Sequence, residues 1–153
     1  MTDSESMWTT ERLQTALLAT ELFSEGRASA KLIDGVEPSL EIEMHEYGDL
    51  PIYMSVFGEQ IIAESLLWPA LDVEDVAGFN DAILRTHKYF PLSTVSLDRL
   101  TDGKEYYQMF GALSATSRIH NVLLEIETLA SNVIQATEAY ADFLRYPQAA
   151  GME

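Results

Sequence analysis

The stretch LPIYMSVFGEQIIAESLLWPALDVEDVAGFNDAILRTHKYFPL, residues 50–92, decides the fold. Aliphatic side chains alternate with Tyr53, Ser55 and Phe57 before the dipeptide Gly58-Glu59, and residues 60–68 then form a second apolar run. A two-residue turn that begins with glycine is typical of a type II′ hairpin. The stretch therefore predicts two antiparallel strands that end at Pro69.

One helix follows this hairpin. Asp72 is the predicted N-cap, and apolar side chains recur at helical spacing up to Phe90, where Pro91 ends the helix. Residues 10–23 predict an N-terminal helix capped by Thr9, and residues 28–34 and 39–46 predict two strands. After the central helix, residues 92–97, 104–113 and 119–126 predict three strands, and Gly111 is interpreted as a bulge. A helix from residue 127 to about 144 closes the chain.

This order predicts an α+β fold, a mostly antiparallel sheet flanked by helices in the order α-β-β-β-β-α-β-β-β-α. With 153 residues and 47% hydrophobic side chains, the chain has the size and composition of one domain, which we place at residues 8–146. Residues 1–7 and 147–153 are predicted to be flexible tails. No apolar run is long enough to span a membrane, the N-terminus is acidic, and cysteine is absent, so we expect a cytoplasmic protein.

The charge is strongly acidic. The chain has 25 acidic and 9 basic residues and a formal net charge of −16. A field of this sign repels nucleic-acid phosphates and anionic lipid head groups, and the basic residues are scattered singly. We therefore expect no nucleic-acid partner and no direct membrane insertion. Acidity favours solubility in most proteins, and it also suits a partner with a basic surface.

The candidate catalytic or metal-binding residues are few. Glu41, Glu43 and His45 share one face of a predicted strand, so a carboxylate–imidazole site is conceivable, although a solvated strand face has the same pattern. His87 lies on the apolar stripe of the central helix, where a histidine is usually structural. No nucleotide-binding, zinc-protease or serine-hydrolase motif is present. We therefore predict no catalytic, cofactor-binding or metal-binding residues, and keep a small enzyme with a carboxylate/histidine site as the alternative.

Aromatic side chains on alternate strand positions are more informative. Tyr53, Phe57, Tyr106 and Phe110 alternate away from the aliphatic face of their strands. If the aliphatic face meets the helices, these four rings lie on the opposite side of the sheet and form a candidate protein-interaction surface. A register slip of one residue would instead place them in the core. Trp68 fits either a core or an interface position.

Four segments carry a family resemblance: DLPIYMSVFGEQIIAESLLWP, FNDAILRTHKYFPLS, KEYYQMFGALSATS and EIETLASNVIQATEAYADFL. From about Trp8 to Leu144 the chain resembles the bacterial YjfI family, whose function is unknown. The resemblance implies a fold like that of type III secretion chaperones, which bind proteins and often dimerise. It also implies an association with a system similar to phage-shock protein A. The predicted function is thus a non-catalytic, protein-binding or regulatory module whose partner is a second copy of the chain, as a homodimer, or a basic-surfaced protein.

Overall fold

A computed structural model of the chain describes residues 6–145. The tails predicted at residues 1–7 and 147–153 lie outside these residues, apart from Ser6 and Met7.

The framework is a six-stranded antiparallel sheet with the spatial order β1-β2-β3-β4-β6-β5. Its strands are β1 (Ala28–Ile33), β2 (Ser39–Met44), β3 (Leu50–Phe57), β4 (Gln60–Pro69), β5 (Thr94–Arg99) and β6 (Glu105–Ser114). The predicted hairpin joins β3 to β4, with Phe57 opposite Gln60 and Gly58 at φ +59°. A positive φ at the first turn residue is the reason that this turn requires glycine. The predicted α+β class is confirmed.

Four α-helices accompany the sheet among residues 6–145: α1 (Thr10–Leu18), α2 (Glu21–Ser24), α3 (Val76–Thr86) and α4 (Ile119–Ala139). Thr9 caps α1 as predicted, since its side chain accepts a hydrogen bond from the backbone N–H of Arg12. The single helix predicted over residues 10–23 is wrong. The chain leaves the helix at Ala19, and Thr20, in an extended conformation, precedes α2.

The predicted N-cap of the central helix is also wrong. Asp72 ends a short 3-10 turn, Ala70–Asp72, and Asp75 caps α3 by accepting a hydrogen bond of 3.0 Å from the backbone N–H of Gly78. Both aspartates precede the same apolar stripe, and the extra turn shifts the start of the helix by one turn. Phe79 and Ile83 are the buried residues of that stripe.

The strand predicted over residues 119–126 is the main error. These residues form the first part of α4, so the second half of the chain contains two strands rather than three. The run VLLEI is compatible with both a strand and a helix, because adjacent apolar residues occur in buried strands as well as in helices. The helical spacing of the buried apolar residues shows that the segment is a helix: they are Val122, Ile126, Leu129, Ala130, Val133 and Ala136.

The core lies between the sheet and the helices. Phe79 of α3 is fully buried, and its ring contacts Tyr107 and Tyr140 edge-on, with centroid distances of 4.8 and 5.4 Å. Trp68 is 2% exposed and packs at a tilt on Phe79, so it is a core residue. The irregularity in the sheet lies between Leu66 and Trp68 rather than at the predicted Gly111 bulge.

Candidate functional site

The two faces of the sheet differ in what covers them. We call the helix-covered side the inner face; it carries the buried side chains of Leu40, Ile42, Met44, Ile52, Met54, Ile61, Ala63, Tyr107 and Met109. Helix α1 packs against β1 and β2, and α4 packs against β3, β4 and β6. The opposite side, which we call the outer face, is formed by the alternate strand positions. Among residues 6–145, no helix packs on it.

The structure places the four sequence-predicted aromatic residues on the outer face. Tyr53 is 37% exposed and Phe57 is 56% exposed, whereas Tyr106 and Phe110 are half-buried. Tyr53 and Phe110 lie opposite the same residue, Glu64 of β4, from its two sides. The predicted orientation is therefore right, and the interaction role of these residues stays a prediction.

Two further apolar residues of the outer face escaped the sequence reasoning. Ile62 is half-buried and Leu66 is 40% exposed, and both belong to β4. Because the sequence of β4 is a continuous apolar run, it does not show which of its side chains face outwards. That orientation can be assigned only from the register with β3. Beside Phe57, the hairpin end of the outer face has a shallow, open depression of about 750 Å³, which Gln60, Ala112 and Ser114 help to line.

The charges of the outer face are mostly negative. Its strand positions carry four carboxylates, those of Glu41, Glu43, Glu64 and Asp98, and one cationic side chain, that of Lys31. None of the ion pairs formed among residues 6–145 includes any of these four carboxylates. The surface therefore combines exposed rings with a negative potential.

Glu64 lies near the centre of this surface and is half-buried. Burial raises the pKa of its carboxyl, and the nearby charge of Asp98 raises it further. Asp98 itself is held in place, because one of its oxygens accepts hydrogen bonds from Ser96 Oγ at 2.7 Å and from Gln108 Nε2 at 2.8 Å. Both donors are neutral, and none of the ion pairs within residues 6–145 includes Asp98.

The phenol of Tyr53 donates a long hydrogen bond of 3.4 Å to Glu41 on the adjacent strand. Burial raises the pKa of Tyr53, and the charges of Glu41 and Glu43 add to the effect. The phenol is therefore neutral at physiological pH. It offers a polar tip on a ring that is otherwise available for contact.

The histidines do not form an enclosed site. His45 Nδ1 lies 2.7 Å from an oxygen of Asp49, and Glu43 joins them, so that the three ligand atoms lie within 4.8 Å of one another. Glu43 is partly exposed, and His45 and Asp49 are exposed. Imidazole and carboxylate groups suit a divalent metal ion, so these three side chains could hold one. The predicted trio contained Glu41 instead of Asp49, but the carboxylate of Glu41 accepts a hydrogen bond from Tyr53, which lies opposite it on β3.

The other two histidines have separate positions. His87 Nδ1 accepts a hydrogen bond of 3.2 Å from the backbone N–H of Val95, so it ties the end of α3 to β5. Among the described residues it has no carboxylate within ion-pair distance. His120 is exposed at the start of α4, in a groove of about 220 Å³ that Glu21, Arg27 and Glu127 also line.

A second carboxyl is buried between α4 and the inner face. Glu125 of α4 is 5% exposed, and its Oε2 has no hydrogen-bond partner among residues 6–145. Burial raises its pKa to about 6. It lies against Gly111 of β6, inside the core.

A family model described as an uncharacterized protein conserved in bacteria (DUF2170) matches residues 7–144. The chain belongs to this family. The uncharacterized protein YjfI of Escherichia coli K12 is 36% identical over 107 residues, which are 70% of this chain and 80% of that protein. YjfI of Escherichia coli O157:H7 has the same identity and coverage. The resemblance seen in the sequence is confirmed.

The fold has a solved counterpart. The crystal structure of YbjN from E. coli, described as a candidate transcription regulator, matches with a TM-score of 0.53 at 12% sequence identity. The match covers 82% of this chain and 92% of that chain. At this identity the likeness shows a shared α+β fold and nothing about activity. Separately, none of the helices within residues 6–145 has the length and hydropathy needed to cross a bilayer.

Proposed function

We propose that this protein is a non-catalytic binding module that engages a protein partner through the outer face of its sheet. The observation that carries the proposal is the outer face itself, because six strands expose one side on which no described helix packs. That side presents the rings of Tyr53 and Phe57 and the side chain of Leu66 to solvent. Exposed apolar patches of this kind, with aromatic residues and a polar rim, mark interaction surfaces.

The partner that fits is an apolar protein segment that carries Lys or Arg. The outer face brings four carboxylates and one lysine to such a contact. A second copy of the chain is a poorer fit, because packing two outer faces together would bring Glu64 and Asp98 of both copies into a desolvated interface without enough cations. Electrostatic complementarity therefore favours a basic partner over self-association.

A regulatory role is compatible with this surface, but it would act through proteins. A net charge of −16 opposes direct contact with nucleic-acid phosphates. The association with a system similar to phage-shock protein A, which the family resemblance implies, would place the partner in that system and the protein in the cytoplasm. Both statements stay predictions.

The alternative is a small enzyme, and one observation favours it. Glu43, His45 and Asp49 converge closely enough to hold a metal ion. The trio lies at the surface, and none of its members lines a cavity described within residues 6–145. Active sites are usually concave and exclude water, so we rank the enzyme below the binding module.

The proposal is tested by quantitative affinity capture from the native host with the wild type, Phe57→Ser and Tyr89→Ser. Tyr89 is a matched control because it is 73% exposed and belongs to the 3-10 turn after α3, not to a strand of the outer face. We expect at least one protein that the wild type and Tyr89→Ser retain equally and that Phe57→Ser loses by about tenfold or more. Equal retention of every captured protein by all three variants would overturn the proposal. Light scattering of the purified chain would separately reveal self-association.

A further inference from the structure

We infer that Glu64 is the position at which the outer face receives a cationic side chain, arginine or lysine, of its partner. The inference rests on the proposed function and names the chemistry of its central contact.

The register places an aromatic ring on each side of Glu64. Tyr53 of β3 pairs directly with Glu64, and Glu64 pairs directly with Phe110 of β6. Adjacent strands lie about 4.8 Å apart, so the two rings stand on either side of the carboxylate, roughly 5 Å from it at the level of the backbone. A cation placed above Glu64 would lie within the roughly 6 Å at which aromatic rings attract positive charge.

The carboxylate of Glu64 is available to accept hydrogen bonds from a partner. One oxygen of Asp98 already accepts hydrogen bonds from Ser96 and Gln108, and Gln108 is itself buried at 9% exposure. Across residues 6–145, Glu64 takes part in none of the ion pairs. A half-buried carboxylate without a cation destabilises the free protein, and a partner cation would relieve that cost.

The surroundings favour an organic cation over a metal ion. Mg²⁺ and Ca²⁺ need about six or more oxygen ligands, whereas Glu64 is flanked by Tyr53 and by the carbon-only ring of Phe110. Guanidinium and ammonium groups combine carboxylate hydrogen bonds with contact to ring faces. Arginine fits best, because its planar group can stack on a ring while two of its N–H groups face the carboxylate.

The test uses two synthetic nine-residue peptides in which leucine alternates with serine around one central residue. The central residue is arginine in one peptide and citrulline, its neutral isostere, in the other. The protein is used as the wild type, Glu64→Gln and Glu74→Gln. Glu74 is exposed at the start of α3, so its variant changes the net charge equally, away from the outer face. Binding is followed by backbone amide shifts of Tyr53 and Phe110, and a urea unfolding curve confirms that each variant is folded.

We expect the wild type and Glu74→Gln to bind the arginine peptide about tenfold more tightly than the citrulline peptide, and Glu64→Gln to bind both equally. Equal binding of both peptides by the wild type, equal effects of the two variants, or no binding at all would overturn the inference. The proposed function is judged separately by Phe57→Ser in affinity capture. If Phe57→Ser loses the partner and Glu64→Gln retains it, the outer face is supported as the binding surface and the cation site at Glu64 is contradicted.

Discussion

Gly111 of β6 and Glu125 of α4 share a space that can hold only one side chain. A Cβ atom on Gly111 would lie 1.6 Å from Glu125 Oε2 and 3.1 Å from the backbone oxygen of Leu92. The strand therefore carries glycine at this position because the carboxylate of the longest helix rests on its backbone. This contact joins α4 to β6 near the centre of the sheet.

The first prediction concerns this contact. We expect Gly111→Ala to lower the free energy of unfolding by about 1–3 kcal/mol, because the added methyl group overpacks the buried carboxylate. In a Glu125→Ala background the same substitution should cost at least about 1 kcal/mol less, since the obstacle is gone. Urea unfolding of the four proteins of this cycle measures the coupling. An equal cost in both backgrounds would show that Glu125 is not what excludes the methyl group.

The second prediction concerns pH. Burial raises the pKa of Glu125 from 4.5 to about 6. A pKa that is higher in the folded state gives stability that is complete below pH 4.5 and is lost as the pH rises through 6. The loss amounts to about 2 kcal/mol, at about 1.4 kcal/mol for each unit of pKa.

We therefore expect Glu125→Gln to be more stable than the wild type at pH 7, with the difference vanishing near pH 4.5. Glu127→Gln is the control, because Glu127 is exposed on the same helix. Urea unfolding between pH 4.5 and pH 7.5 gives the comparison. A constant difference across this range would mean that Glu125 ionises as freely in the folded chain as in the unfolded one.

The third prediction contrasts Phe57 on the outer face with Phe79 of α3, which is buried on the helix-covered side of the sheet. Phe79→Ala should cost about 3–5 kcal/mol of stability, because it empties a fully buried site among Tyr107 and Tyr140. Phe57→Ala should change stability by less than about 0.5 kcal/mol, because its ring is 56% exposed. Thermal or urea unfolding compares the two. A large cost at Phe57 would mean that its ring belongs to the core and not to a binding face.

The fourth prediction concerns salt. The negative outer face should accelerate encounter with a basic partner, so raising the ionic strength should lower the association rate several-fold. The dissociation rate should change little, because it depends mainly on the desolvated apolar contact. Surface-based kinetics with the partner recovered by affinity capture resolves the two rates. A salt effect confined to dissociation would contradict electrostatic steering.

The sequence predicted the first half of the sheet and the orientation of the aromatic residues because its signals there are local. The hairpin at Gly58-Glu59 fixes the register of β3 and β4, and alternation then assigns Tyr53 and Phe57 to one face. The family resemblance carried the fold class as well. These features depend on neighbouring residues and not on distant packing.

The errors arose where tertiary contacts decide. Residues 119–126 fit a strand or a helix by pattern, and the helix prevails because Val122 and Ile126 continue the stripe that packs on the sheet. Gly111 was interpreted as a bulge, whereas its real constraint is Glu125, a residue distant in sequence. The sequence pattern alone does not single out Glu64, because only the strand register shows that Tyr53 and Phe110 flank it.

Site-specific photocrosslinking in the native host tests the central claim most directly. A benzoyl-phenylalanine side chain replaces Phe57 on the outer face in one protein and Tyr89, which is 73% exposed elsewhere, in the other. We predict that the probe at Phe57 crosslinks a discrete protein and that the probe at Tyr89 does not. No protein crosslinked at Phe57, or the same products from both positions, would contradict the claim that the outer face is the binding surface.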